Sequence, residues 1–263
     1  MRSDLKIIIK QRLHYLELVG LLIRRELKVK YRGSALGYLW SMLNPLLFML
    51  IISVVFSFLM KGIENYNLFV LSGILFWNMV TLSLNLGTTS ITRNAPLLQK
   101  IRIPIWIFPV VPAGLGVTNF LLSLIPYFFV YVASGRNLPE QLWLSPVIFG
   151  LTLLFLASLA VTLSTINVFF RDVSHVLEPL LTLLFYGTPV IYDRHGPTVP
   201  AKLADLLALN PLTHFVEAYR ATIFGGYHVS LNDLGILCVF TAVAAGIAAW
   251  TYKSNKSKII FNL

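Results

Sequence analysis

Three short stretches bring a histidine together with a carboxylate and an arginine. They are Arg171, Asp172 and His175 in "RDVSH", Asp193, Arg194 and His195 in "DRH", and His214, Glu217 and Arg220 in "THFVEAYR". Such side chains can pass protons or hold a metal ion. None of the three supplies the i,i+4 histidine pair of a helical zinc site, and no cysteine assists. Loop and helix ends routinely carry these residues solvated, and the third set has the i,i+3 spacing of ordinary helix neighbours. We therefore assign no catalytic residue and no metal ligand. A nucleotide site is absent too: no GxxxxGK[ST] occurs, and no glycine precedes a lysine anywhere in the chain.

The other concentration of charge is "RRELKVKYRGSALGYLW", residues 24–40, with Arg24, Arg25, Lys28, Lys30 and Arg32 inside nine residues. After Arg32 no charged residue or histidine appears until Lys61. One reading is a topology anchor beside a membrane span. A second is recognition of an anionic headgroup or lipid-linked phosphate at the membrane surface. Nucleic-acid binding would also suit a net charge of +10, but the charges are distributed as membrane topology requires, and nucleic acid is not expected as a partner.

What positions these residues follows from composition. Of 263 residues, 57% are hydrophobic and 12% charged, about half the charge of a soluble domain, and the mean hydropathy is +0.76. Runs free of charge and histidine cover 33–60, 65–92, 103–135, 141–170, 179–192 and 234–252. About 20 apolar residues cross the hydrocarbon core as a helix, whereas a barrel strand would alternate apolar and polar. The expected fold is an all-α integral membrane protein with six transmembrane helices, at about 35–60, 67–91, 109–134, 143–169, 176–192 and 231–252, in one domain. With both termini inside, sixteen Lys and Arg fall on the cytoplasmic side and five outside, which fits the positive-inside rule. No short apolar region with a cleavage site opens the chain.

Residues 5–27 place Ile9, Leu13, Leu16, Val19, Ile23 and Leu27 at helical steps with basic residues between. This predicts an N-terminal amphipathic interface helix within 1–32, drawn to membrane lipids, or a helix packing on a partner. The loop "TRNAPLLQKIRIP" offers Asn94 as an N-cap and Pro96 in a first turn. It reads as a connector whose cations fix topology, or as a docking element. Between 193 and 230 two short helical patterns break at Asn210-Pro211 and stop at Gly225-Gly226. They form a surface hairpin, or helices that dip into the membrane and cap it. The longest apolar runs hold no charge near their centres, so coupling to a proton gradient is not expected. Uphill transport would draw its energy from another polypeptide.

The wording "RRELKVKYRGSALGYLWSMLNPLLF" resembles the opening of the membrane subunit of ABC type-2 exporters of bacterial surface polysaccharides. It is most similar to O-antigen permeases, with capsule and teichoic-acid permeases also similar. "INVFFRD" (166–172) and "NPLTHFVEAYR" (210–220) resemble the same family at matching positions. The resemblance implies a transport subunit, not an enzyme, in the bacterial inner membrane. It implies a homodimer working with two ATP-binding subunits that bind the ATP and Mg, so this chain would carry no cofactor. The cargo would be a polysaccharide on undecaprenyl diphosphate. Residues 94–103 would be a coupling helix (Asn94, Leu97, Leu98, Lys100 and Ile101 at the ATPase), and 201–224 external re-entrant helices, with Phe215, Glu217, Tyr219 and Arg220 at the gate. The five cations of 24–32 would attract the carrier's diphosphate. In span two Phe76, Trp77 and Asn78 either face the glycan or pack on neighbouring helices. A drug or lipid exporter of the same architecture, or a membrane-embedded glycan- or lipid-modifying enzyme, are the alternatives.

Overall fold

The computed structural model describes residues 2–56, 65–100, 103–197 and 199–262. Among them only helices and turns occur: α1 (Arg2–Lys30), α2 (Leu39–Phe56), α3 (Tyr66–Thr88), α4 (Ser90–Arg93), α5 (Ala95–Leu98), α6 (Ile107–Ala133), α7 (Ser145–Phe169), α8 (Val173–Tyr186), α9 (Ala201–Ala208), α10 (Pro211–Ile223) and α11 (Leu231–Phe261). The protein is an all-α membrane protein. Among the described residues four helices are long and apolar enough to cross a bilayer, namely Tyr66–Thr88, Ile107–Ala133, Leu142–Phe169 and Leu231–Ile259. Leu39–Ile51 and Val173–Tyr186 are shorter apolar helices. The end of the expected first span, 57–60, lies outside the described residues.

Helix α3 is the centre of the bundle, with α6 and α7 its principal neighbours and α2, α8 and α10 around it. Small residues set the close approaches. A Cβ on Gly116 of α6 would sit 2.9 Å from the Met79 carbonyl oxygen of α3, and one on Gly87 of α3 would sit 2.7 Å from Ala160 Cβ of α7. Without a hydrophobic drive between helices in lipid, such backbone proximity supplies the packing. Serine and threonine in these helices satisfy themselves: Ser83 Oγ donates to Met79 O at 2.6 Å and Thr152 Oγ1 to Ile148 O at 2.7 Å.

The glycines of the opening motif make the first turn. Gly33 (φ 78°) and Gly37 (φ 50°) take left-handed backbone that other residues avoid, and so separate α1 from α2. Helix α1 then lies along α6, with Ile23 seated over Gly114, Tyr15 edge-on to Trp106, and Tyr31 Oη donating to Asn119 Oδ1 at 3.0 Å.

Helix α8 ends at Tyr186, six residues before the expected limit of its span. Gly187 and Pro189 stop it, since proline cannot donate to the ladder. The freed carbonyls are satisfied by side chains from elsewhere. Asn210 Nδ2 donates to Gly187 O (2.9 Å), Arg220 Nη1 to Pro189 O (2.9 Å), Arg220 Nη2 to Val190 O (2.8 Å) and Tyr66 Oη to Ile191 O (2.8 Å). Irregular backbone within a membrane bundle persists where protein meets its polar groups in this way.

Candidate functional site

Asn78, Thr81 and Asn85 recur at helical spacing on one face of α3, and Asn44 of α2 joins them. Two grooves meet on this face. One, of about 390 Å³, runs between α2, α3 and α6 and reaches Lys30, Tyr31 and Trp40. The other, of about 510 Å³, runs between α2, α3 and α8 past Trp77, Glu178, Thr182 and Phe185. The three asparagines are exposed. An amide facing lipid would forfeit its hydrogen bonds at a cost of roughly 2 kcal/mol or more, so this face suits a polar cargo or another protein surface.

The expected triplet divides here. Asn78 lines both grooves, and Trp77, packed edge-on to Phe185 at 5.5 Å, borders one of them. Phe76 points the opposite way, wholly buried and stacked on Tyr219 at 5.9 Å; it belongs to the core. Asn44, Thr81 and Asn85 were not singled out from the sequence. The amide and hydroxyl period of 78, 81 and 85 inside an apolar run was the signal that could have found them.

The five cations near residue 30 do not converge on one point. All five are exposed. Arg25 borders a small cavity against α3 and α6 together with Glu26 and Arg93, whose side chains approach to 4.0 Å. Lys30 alone turns into the 390 Å³ groove, its ammonium 5.4 Å from the Tyr31 ring centre, and partial desolvation against the protein lowers its pKa although the residue is exposed.

At the other end of the bundle α9 and α10 form the expected pair. Asn210 caps α10 by accepting from the Leu212 amide at 3.0 Å, Pro211 follows it, and Gly225 and Gly226 (φ 81° and 80°) end the hairpin. The apolar face of α10 is sealed into the bundle. Phe215 stacks on Phe155 at 4.6 Å, and Tyr219 is enclosed by Phe76, Phe120 and Phe149. Glu217 and Arg220 do not pair with His214 or with each other, unlike the i,i+3 expectation. Glu217 takes a bidentate ion pair from Arg194 (2.8 and 2.9 Å), and His214 Nε2 meets Ala208 O at 2.8 Å. Arg220, 3% exposed, lays its guanidinium 3.7 Å from the Phe69 ring centre. Burial pulls its pKa down to about 10, which leaves it charged at neutral pH.

A cavity of about 260 Å³ beside α10 holds His195, His214 and His228. Its carboxylates are engaged: Asp193 accepts from Tyr227 Oη (2.9 Å), Glu217 binds Arg194, and Asp233 closes the capping box with Ser230. Burial, followed by the Asp193 contact, raises the Tyr227 pKa. Among the described residues no group could hold a metal ion. Arg171, Asp172 and His175 are solvent-exposed where α7 turns into α8.

Within 94–103 the described helix is only α5, four residues long. Asn94 precedes it without capping; its amide donates back to Ser90 O at 2.8 Å. Leu97 and Leu98 are half-buried and Lys100 is exposed, while Ile101 lies outside the described residues.

A helical membrane bundle with grooves lined by amides and hydroxyls, and with Lys30 and Glu178 beside them, has the build of a transport subunit. The chain belongs to the ABC-2 type transporter family, whose model matches residues 17–224. It is 34% identical over 252 residues to the O-antigen export system permease protein RfbA of Myxococcus xanthus, covering 95% of this chain and 97% of that one. It is 30% identical over 257 residues to the protein of the same name from Klebsiella pneumoniae, covering 96% of each. The polysialic acid transport protein KpsM of Escherichia coli is more distant, at 25% over 92% of this chain and 95% of its own. The chain is therefore a multi-pass transport subunit rather than an enzyme, and family membership implies an ATP-binding partner that holds the nucleotide.

Proposed function

We propose that this chain is the permease of an exporter that carries O-antigen polysaccharide, linked to undecaprenyl diphosphate, out across the bacterial inner membrane. Two copies work with two ATP-binding subunits, both termini are cytoplasmic, and 94–103 is the element on which the ATPase acts. The observation that carries the reading is the groove of Asn44, Asn78, Thr81 and Asn85. A sugar polymer offers hydroxyls and no fixed charge at most positions, so it is met by neutral amides and hydroxyls and by the exposed aromatic face of Trp40. An ion-coupled carrier would instead need charge at mid-span. The named roles of the relatives at 34% and 30% identity support O-antigen over capsule as the cargo.

Replacing Asn78 and Asn85 together by leucine tests this. In cells relying on the variant, surface O-antigen should fall sharply and lipid-linked glycan accumulate inside, with the ATP-binding subunit still co-purifying. Undiminished O-antigen on the surface would refute the groove as its path.

A further inference from the structure

Helix α11 is longer than a membrane needs. Its 31 residues extend about 46 Å at 1.5 Å per residue, against a hydrocarbon core of about 30 Å. Trp250 is exposed, and beyond it Lys253, Lys256 and Lys258 are exposed as well. Yet Ile259, in the last turn and next to Lys258, is wholly buried. It sits in a cluster separate from the main core, with Ile91, Ile105 and Val168 buried beside it and Leu98, Phe169 and Tyr252 packed around them.

The membership of that cluster is informative. Ile91, Leu98 and Ile105 all lie in the connector between α3 and α6, Ile91 in α4 and Leu98 in α5. Val168 and Phe169 are the last turn of α7. Tyr252 and Ile259 are seven residues apart, hence on one face of α11, and the Tyr252 hydroxyl lies against the backbone of Ile105 and Trp106. Helices α4 and α5 are four residues each, too short to hold a shape unaided. The connector's position is therefore set by what it packs on.

We propose that the tail of α11, residues 252–259, is a brace that positions the connector for its ATP-binding partner, with Tyr252 and Ile259 as positioning residues. The proposal rests on the reading of 94–103 as the ATPase-facing element. The tail converts a flexible link into a fixed one, so that force from the partner moves α7 and α11 instead of being absorbed in the loop.

The test uses the complex of the permease with its co-expressed ATP-binding subunit, in a Cys238→Ala background. Leu98→Cys reports the connector: half-buried now, it should react with a membrane-impermeant maleimide about tenfold faster in inside-out vesicles once Ile259→Asp is added, equivalent to about 1.4 kcal/mol of local opening. Ile259→Val should leave the rate unchanged. Ile259→Ala should give an intermediate rise and still reads out if the aspartate variant fails to insert. Without the reporter cysteine, Ile259→Asp should lower ATP hydrolysis stimulated by lipid-linked glycan about tenfold, and Ile259→Val should restore it. An unchanged maleimide rate in both the aspartate and alanine variants overturns the brace. A faster rate with undiminished stimulation, where Leu97→Asp abolishes it, overturns the coupling role and leaves the docking reading standing. If Leu97→Asp also leaves stimulation and co-purification intact, the docking reading itself falls and the coupling role falls with it.

Discussion

Arg220 Nη2 donates to the Val190 carbonyl oxygen at 2.8 Å, and this bond ties α10 to the backbone just after α8 stops. The same guanidinium reaches Pro189 O and Ser72 Oγ (2.9 and 3.3 Å) and covers the Phe69 ring. One side chain thus joins α3, α10 and the irregular segment between α8 and the hairpin.

Arg220→Ala should accordingly destabilise the hairpin end of the bundle by about 3 kcal/mol or more, since each hydrogen bond to a charged group contributes roughly 1.5–3 kcal/mol and two buried carbonyls lose their donor. Arg220→Lys keeps the charge but not the planar fork, so its loss should be intermediate. Thermal unfolding in detergent checks the order; equal midpoints for all three proteins would contradict it.

Gly73 on α3 faces the same junction. A Cβ there would overlap the Val190 carbonyl oxygen and stand 2.7 Å from Arg220 Nη2. Gly73→Ala should therefore cost about 1–3 kcal/mol, as overpacking does. Gly150→Ala has no heavy atom within 4 Å of the new methyl and should be neutral or gain up to about 1 kcal/mol from helix propensity. The contrast between the two midpoints is the measurement.

The proposed orientation predicts a labelling pattern. Cysteines introduced at Arg136 and His195 should react with an impermeant maleimide from outside, and those at Leu98 and Lys256 only from the cytoplasmic side. Labelling of the Leu98 position from outside would reverse the topology.

The basic stretch separates into topology and recognition. Lysine in place of Arg24, Arg25 and Arg32 preserves every charge, so insertion should be normal. It removes the fork that grips phosphate through two parallel bonds. Loss of one such contact, at roughly 1.5–3 kcal/mol, should lower glycan-stimulated ATP hydrolysis by about tenfold or more. Normal stimulation would leave these arginines with topology alone. Lys30→Gln is the complementary variant, because only Lys30 of the five enters the 390 Å³ groove, and it too should weaken stimulation while inserting normally.

By itself the sequence determined the class of architecture. Lipid forces a helix to satisfy its backbone internally and to stay apolar for its whole length, so uninterrupted runs with flanking cations are legible as spans. The hairpin was legible for the same local reason, through Asn210-Pro211 and Gly225-Gly226. What it did not settle is which side of a uniformly apolar helix faces which neighbour. Phe76 and Asn78 are two residues apart and equally suited by type to a glycan, yet the first is wholly buried with Tyr219 of α10 stacked on it and the second lies in the grooves. Arg220 reads as a surface residue of an amphipathic helix, and its burial depends on Ser72 and Val190, 148 and 30 positions away. The end of α8 was decided in the same way. Breaking a membrane helix at Gly187 is tolerable only because Asn210, Arg220 and Tyr66 deliver donors to the freed carbonyls, and that provision exists only once the chain has folded.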